Sequence, residues 1–267
     1  MPRTLDLRGA YKLLIGSILP RPIAWVSTVD ADGRPNLAPF SFFTGVAAAP
    51  PVVCFAPMRR FADGAEKDTL RNVRATGEFV VNIVDEDTVA QANETAREFA
   101  PGVSEFAEAG LTPVPCEAVR APRVAESPVS LECRLLQIVE VGADGAGGGA
   151  LVLGEVLRFH VRDDLLHDGR IDTGALRPVG RLAGSEYTTL GRRFELERKS
   201  RHGPHDGGDP RPGPLPLVPA GRYWMYLLVS CISTAPCVIL TSPTPTVNQW
   251  SAGVPPSSGV PRRWMQS

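Results

Sequence analysis

The sequence predicts a mainly β domain, an antiparallel β-barrel with a few added helices. Three observations carry this reading. Short β-branched, apolar runs recur between residues 23 and 161, each bounded by Gly, Pro, Asp or Asn. Helical patterns are missing between most of them, whereas a parallel sheet needs a crossover helix at nearly every step. Two long alternating segments, 129–141 and 150–161, are joined by the glycine-rich run 142–149, a connection suited to a flexible hairpin.

Taken in order, Ile23-Ala-Trp-Val-Ser-Thr-Val29 reads as a strand entering a tight turn at Asp30–Pro35, and Asn36 to Val46 as its hairpin partner. Val52 to Ala56 follows a double proline that marks a strand start, so three neighbouring strands suggest a meander. Between Ala65 and Thr76 the period changes. Leu70, Val73 and the stop at Gly77 fit a helix beginning near Lys67-Asp-Thr69. Glu78 to Val84 returns to strand. Asp87 to Phe99 and Ser104 to Gly110 carry helical patterns, the first with acidic residues at its start, where they favour the helix dipole.

Composition divides the chain. Of its 267 residues, 64 lie beyond Gly203, and these hold 12 of the 26 prolines but only six charged side chains. Gly203 to Pro216 reads as a linker, because proline fixes φ and removes donors while glycine adds entropy. Residues 1–203 are therefore expected to form one domain, and 204–267 a Pro-rich, disordered tail that is no domain. Tyr223 to Leu240 is uncharged and close to the roughly 18-residue spanning threshold, but Ser230, Ser233, Thr234 and Pro236 interrupt it. A membrane anchor or a docked element are the alternatives to a simple extension. The first residues lack the apolar stretch of a secretory signal, and the cytoplasm is the expected compartment.

Charge and cysteine usage exclude several classes. A net charge of −1 provides no general field for nucleic acid or anionic membrane. Five widely spaced cysteines, without Cys-x-x-Cys or a Cys/His cluster, fit free thiols and no metal site. His202 and His205 lack carboxylate or thiol company in the expected linker. The 142–149 glycines precede a strand, not the helix a phosphate loop requires, and Gly184-Ser-Glu-Tyr187 lacks the spacing of a nucleophile elbow.

Two patches carry better chemistry. At the start of the helix near residue 67, Lys67, Thr69 and Asn72 place a cation and neutral donors beside free N–H groups, a setting for a phosphate monoester. A helix cap with a solvated lysine has the same pattern. In Asn36-Leu-Ala-Pro-Phe-Ser-Phe-Phe-Thr44, Pro39 implies an edge or bulge, and Phe40, Phe42 and Phe43 leave one face for the core and another for a flat ring. An irregular strand packed wholly in the core is the competing reading.

Together, Arg21-Pro-Ile-Ala-Trp-Val-Ser-Thr28, Asn36-Leu-Ala-Pro-Phe-Ser-Phe-Phe43, Lys67-Asp-Thr-Leu-Arg-Asn72 and Glu78-Phe-Val-Val-Asn-Ile83 resemble the flavin reductase-like family, in order and spacing. Gly154–Val161 and Arg181–Tyr187 look like its late strand and closing segment, so the resemblance spans about residues 10–200. The resemblance implies the FMN-binding split barrel, an antiparallel split β-barrel. It implies FMN, with FAD as the alternative, its phosphate held by Ser41, Lys67 and Thr69 with Asp68 alongside. It places the isoalloxazine edge at Trp25, Val26, Ser27 and Thr28 and at Asn36, Ala38, Pro39 and Phe42.

The resemblance further implies a homodimer and an NAD(P)H-dependent flavin reductase, with NADH or NADPH passing hydride to flavin N5 and no catalytic side chain required. An oxygenase or another electron acceptor would be the partner. His160 and Arg181 are expected on the substrate side, as a donor and an anion anchor. A flavoredoxin-like electron carrier or flavin-binding module without nicotinamide turnover is the alternative function, and a flavin-independent binding role a third.

Overall fold

Seven antiparallel strands form one sheet: β1 (Ala24–Val29), β2 (Pro35–Phe40), β3 (Phe43–Ala48), β4 (Pro51–Phe55), β5 (Glu78–Ile83), β6 (Val129–Val141) and β7 (Gly149–Val161). Their order across the sheet is β2-β1-β5-β6-β7-β4-β3. The computed structural model describes residues 5–100 and 103–197. The expected tail at 204–267, with His205 and the 223–240 stretch, lies outside the described residues, as does His202.

The topology dictates a barrel. β2 and β3 occupy opposite edges of the sheet, about 29 Å apart if it were flat at ~4.8 Å per strand, yet only Ser41 and Phe42 join them. Three Cα steps span at most about 11 Å, so the sheet must curl until its edges meet at this corner. The interior is filled from almost every strand: Val26, Phe40, Phe55, Phe79, Leu131 and Val152 share one buried cluster, with Phe55 stacked 5.2 Å from Phe40 and 5.3 Å from Phe79. The helix α2 (Asp68–Thr76) adds Leu70 and Val73 to the same cluster, and Gly77 ends it at φ 72°. Gly154 admits the Phe79 ring: a Cβ there would lie 2.3 Å from its tip.

A second layer covers the outer face of β1 and β2. Trp25 and Leu37 pack with Val84, Ala92, Phe106, Leu111 and Val124, contributed by the segment between β5 and β6. That segment holds α3 (Val89–Glu94) and α4 (Glu105–Glu108), both shorter than the sequence patterns suggest, because turns replace helix at their ends.

Two sequence expectations change, and one element is new. The run 36–46 is not one strand: it breaks at Ser41-Phe42, and β3 pairs with β4 rather than β1. The first four strands therefore form two separate hairpins and no three-stranded meander. The edge position inferred from Pro39 does hold, since β2 is an edge strand. The 142–149 connection is docked rather than free: Gly148 O accepts from Arg59 N at 2.9 Å, Pro57 O from Ala150 N at 3.1 Å, and a Cβ on Gly64 would lie 2.9 Å from Ala146 N. Finally, residues 7–17 form a helix, α1 (Leu7–Ser17), whose Asp6 N-cap accepts from Gly9 N at 2.7 Å. None of its residues is buried.

Candidate functional site

At the corner where the sheet edges meet lies a cavity of about 430 Å³, within the range usual for ligand sites. The corner itself supplies Pro39, Phe40, Ser41 and Phe42; the loop after β4 supplies Met58, Arg59, Arg60 and Phe61; α1 supplies Tyr11, and Lys67 stands at the start of α2. The docked glycine hairpin braces the loop that forms one wall. Tyr11 and Phe61 meet with ring centroids 5.2 Å apart and both line the cavity.

Three lining cations differ in how they are paired. Arg59 faces Asp144 at 3.2 Å and Glu66 at 3.7 Å, and Arg60 pairs with Asp63 at 2.6 Å. Lys67 makes no ion pair among the described residues, and its Nζ lies 5.4 Å from the centre of the Phe40 ring. Burial pulls its pKa below the usual lysine range, partly offset by the Glu98 carboxylate. Lys67 is also the N-cap residue of α2, and no side chain caps that helix. An unpaired, half-buried ammonium thus stands beside free N–H groups at the positive end of a helix dipole, an arrangement that attracts an anion.

Of the residues singled out from sequence, the cavity gathers Pro39, Phe40, Ser41, Phe42 and Lys67. Ala38 packs against the barrel core next to them. Asp68 is exposed and pairs with Arg71. Thr69 and Asn36 are buried and bonded to one another at 3.0 Å. With its NH2 towards Glu105 Oε1 at 3.3 Å, the Asn36 amide presents its oxygen to Thr69 Oγ1 and Leu37 N. Their side chains are consumed internally, which leaves the Thr69 backbone N–H as its means of meeting an anion.

The β1 residues do not reach the cavity. Trp25 lies in the outer layer with its indole N–H donated to Thr95 Oγ1 at 2.8 Å, and Val26 fills the barrel. Ser27 donates to Pro122 O at 2.5 Å, and Thr28 Oγ1 accepts from Asn72 at 3.0 Å. As a central strand, β1 spends its backbone groups on β2 and β5.

His160 and Arg181 also stand apart from it. The His160 ring lies 2.5 Å from the buried Glu132 carboxylate, which accepts from Glu117 N at 3.1 Å and Ala118 N at 2.5 Å. Burial raises the Glu132 pKa, but the bonds from His160 and the two N–H groups outweigh it and hold the carboxyl below its ordinary range. Arg181 lies 4.4 Å over the Tyr187 ring and donates to Gly184 O at 2.6 Å. Sequence reasoning missed Tyr11, Arg59, Arg60 and Phe61; the basic pair just ahead of Lys67 was the available signal.

Another hollow, of about 500 Å³ between Glu86, Val179 and Tyr187–Thr189, offers no cation. Among the described residues no group of three or more His, Cys, Asp or Glu side chains gathers closely enough to hold a metal ion, and no helix is long and apolar enough to cross a membrane.

The model of the flavin reductase like domain matches residues 15–175. An uncharacterized protein of Halalkalibacterium halodurans is 46% identical over 198 residues, covering 74% of this chain and 94% of that protein. The structure of nitrilotriacetate monooxygenase component B from Bacillus cereus is 43% identical, with a TM-score of 0.70 over 73% of this chain and 96% of that one. The 2-nitrobenzoate 2-nitroreductase NbaA of Pseudomonas fluorescens is 29% identical, with a TM-score of 0.65 over 76% of this chain and 96% of its own.

Proposed function

The chain belongs to the flavin reductase like domain family, and from that premise we propose that it is an FMN-binding, NAD(P)H-dependent flavin reductase of the cytoplasm. The observation that carries this reading is Lys67, a cation without an acidic partner at the uncapped start of α2, lining a cavity walled by aromatic rings. The donor set fits a phosphate monoester attached to a flat ring. Lys67 and the first-turn N–H groups of α2, Thr69 among them, hold the phosphate, with Ser41 as a neutral donor. Phe42, Pro39 and the Tyr11–Phe61 pair wall the ring and keep water from it.

When bound, FMN supplies the redox chemistry, its N5 accepting hydride from the nicotinamide. The protein's part is to hold the two rings within reach, which needs no nucleophilic side chain. The similarity to a monooxygenase component supports an oxygenase as the partner that consumes the reduced flavin. Exposed apolar side chains on α1 (Leu7, Leu13, Leu14) and on β3 (Val46) support a homodimer that covers them. Residues 1–203 form the working domain in this proposal.

The test is an absorbance spectrum of the purified protein with FMN, followed by NADH or NADPH without oxygen. The expected result is retained FMN that bleaches on addition of nicotinamide. Retained FMN that stays oxidised with both nicotinamides would replace this reading with an electron carrier, and failure to bind FMN would remove it. Light scattering should give twice the monomer mass.

A further inference from the structure

Arg21 is 3% exposed and has no acidic partner among the described residues. Its guanidinium donates through Nη1 to Ile15 O at 2.6 Å and Ile18 O at 3.0 Å, and through Nη2 to Leu182 O at 2.8 Å. These carbonyls come from the end of α1 and from the closing segment, so the planar fork is fixed from two directions and the negative end of the α1 dipole offsets its charge. The remaining bonded donor, Nε, reaches Ser41 Oγ at 3.2 Å, and the Phe42 ring lies 5.9 Å from the guanidinium carbon.

Guanidinium only donates, so Ser41 must accept from it, and a hydroxyl has one proton of its own. Ser41 Oγ makes no other hydrogen bond among the described residues, and Ser41 lines the cavity. We propose that Arg21 is a positioning residue: by occupying a lone pair of Ser41 from behind the cavity wall, it fixes the Ser41 hydroxyl as a donor to an acceptor oxygen of the ligand. This rests on the flavin reading above. FMN offers two kinds of such oxygen, on the phosphate and on the ring carbonyls. Arg21 polarises the hydroxyl further, since a donor held by a cation gives a stronger bond to an anionic acceptor.

The experiment is a double-mutant cycle on FMN affinity, with riboflavin as a second ligand. Ser41→Ala is expected to weaken FMN binding about tenfold in the native background and less than about twofold when Arg21→Met is present. Ser41→Thr, which retains the hydroxyl, restores affinity. Arg21→Met also removes the clamp on α1, so thermal melts accompany each titration. Should it fail to fold, Arg21→Lys replaces it: the ammonium keeps the charge but not the fork, and the same loss of coupling is expected. A Ser41→Ala penalty for FMN but not riboflavin assigns the phosphate as acceptor; equal penalties assign a ring carbonyl. An undiminished penalty in both Arg21 backgrounds, or none in the native one, overturns the inference while leaving the flavin reading intact. A native protein that binds neither ligand overturns both.

Discussion

The corner of the barrel and its outer face handle buried polar groups in opposite ways. On the outer face, Glu132 is fully buried and accepts from His160, Glu117 N and Ala118 N, so every bond closes within the protein and the 116–118 segment is latched to the sheet. At the corner, Lys67 makes no ion pair among the described residues, although Glu98 lines the same cavity, and Ser41 retains an undonated proton. The first pattern holds a fold together; the second leaves bonding capacity for something that is not part of the chain. A titratable residue in a sheet is therefore judged by what remains unsatisfied around it.

The largest expected effect belongs to the latch. Glu132→Ala takes the carboxylate partner from the His160 ring and from the Glu117 and Ala118 N–H groups and should lower stability by about 3 kcal/mol, read by urea denaturation, with FMN affinity of the folded protein within about twofold of native. A lost affinity at unchanged stability would break the comparison. Lys67→Ala should do the reverse, weakening FMN binding about tenfold to a hundredfold in a fluorescence titration and leaving the denaturation midpoint unchanged or higher.

The two groups should also give stability the same direction of pH dependence, rising with pH, in two separate windows. The folded Glu132 carboxyl lies below its ordinary range, so its contribution is present above the unfolded pKa of about 4.3 and is lost as pH falls through the folded value. Lys67 is depressed by burial. The unfolded chain therefore binds more protons between the folded value and about 10.4, and stability rises with pH there. Glu132→Gln should flatten the acid limb of a melting-temperature profile and Lys67→Met the alkaline limb; any other assignment would contradict the stated directions.

The smallest effects are expected at the residues that sequence placed on the substrate side. His160→Gln keeps a donor for Glu132, and Arg181→Ala removes a surface stacking contact. Each should change stability by about 1 kcal/mol or less and leave the KM for nicotinamide unchanged. A several-fold rise in KM at either would return that residue to the site.

Local chemistry was enough to read the strands at 24–29, 78–83, 129–141 and 150–161, the helix opening at Lys67, and an edge or bulge at Pro39, because alternation, helix-stop and proline signals act over a few residues. Four short motifs, at 21–28, 36–43, 67–72 and 78–83, carry the family resemblance. Tertiary structure alone decided that residues 36–46 split at Ser41-Phe42, since that break exists only because two distant sheet edges must meet there. It also decided the fates of Lys67 and His160. Whether a cation has a partner depends on which segments fold beside it, and those lie far away in the chain: Glu132 stands 28 positions before His160, whereas no carboxylate within ion-pair distance reaches Lys67 among the described residues.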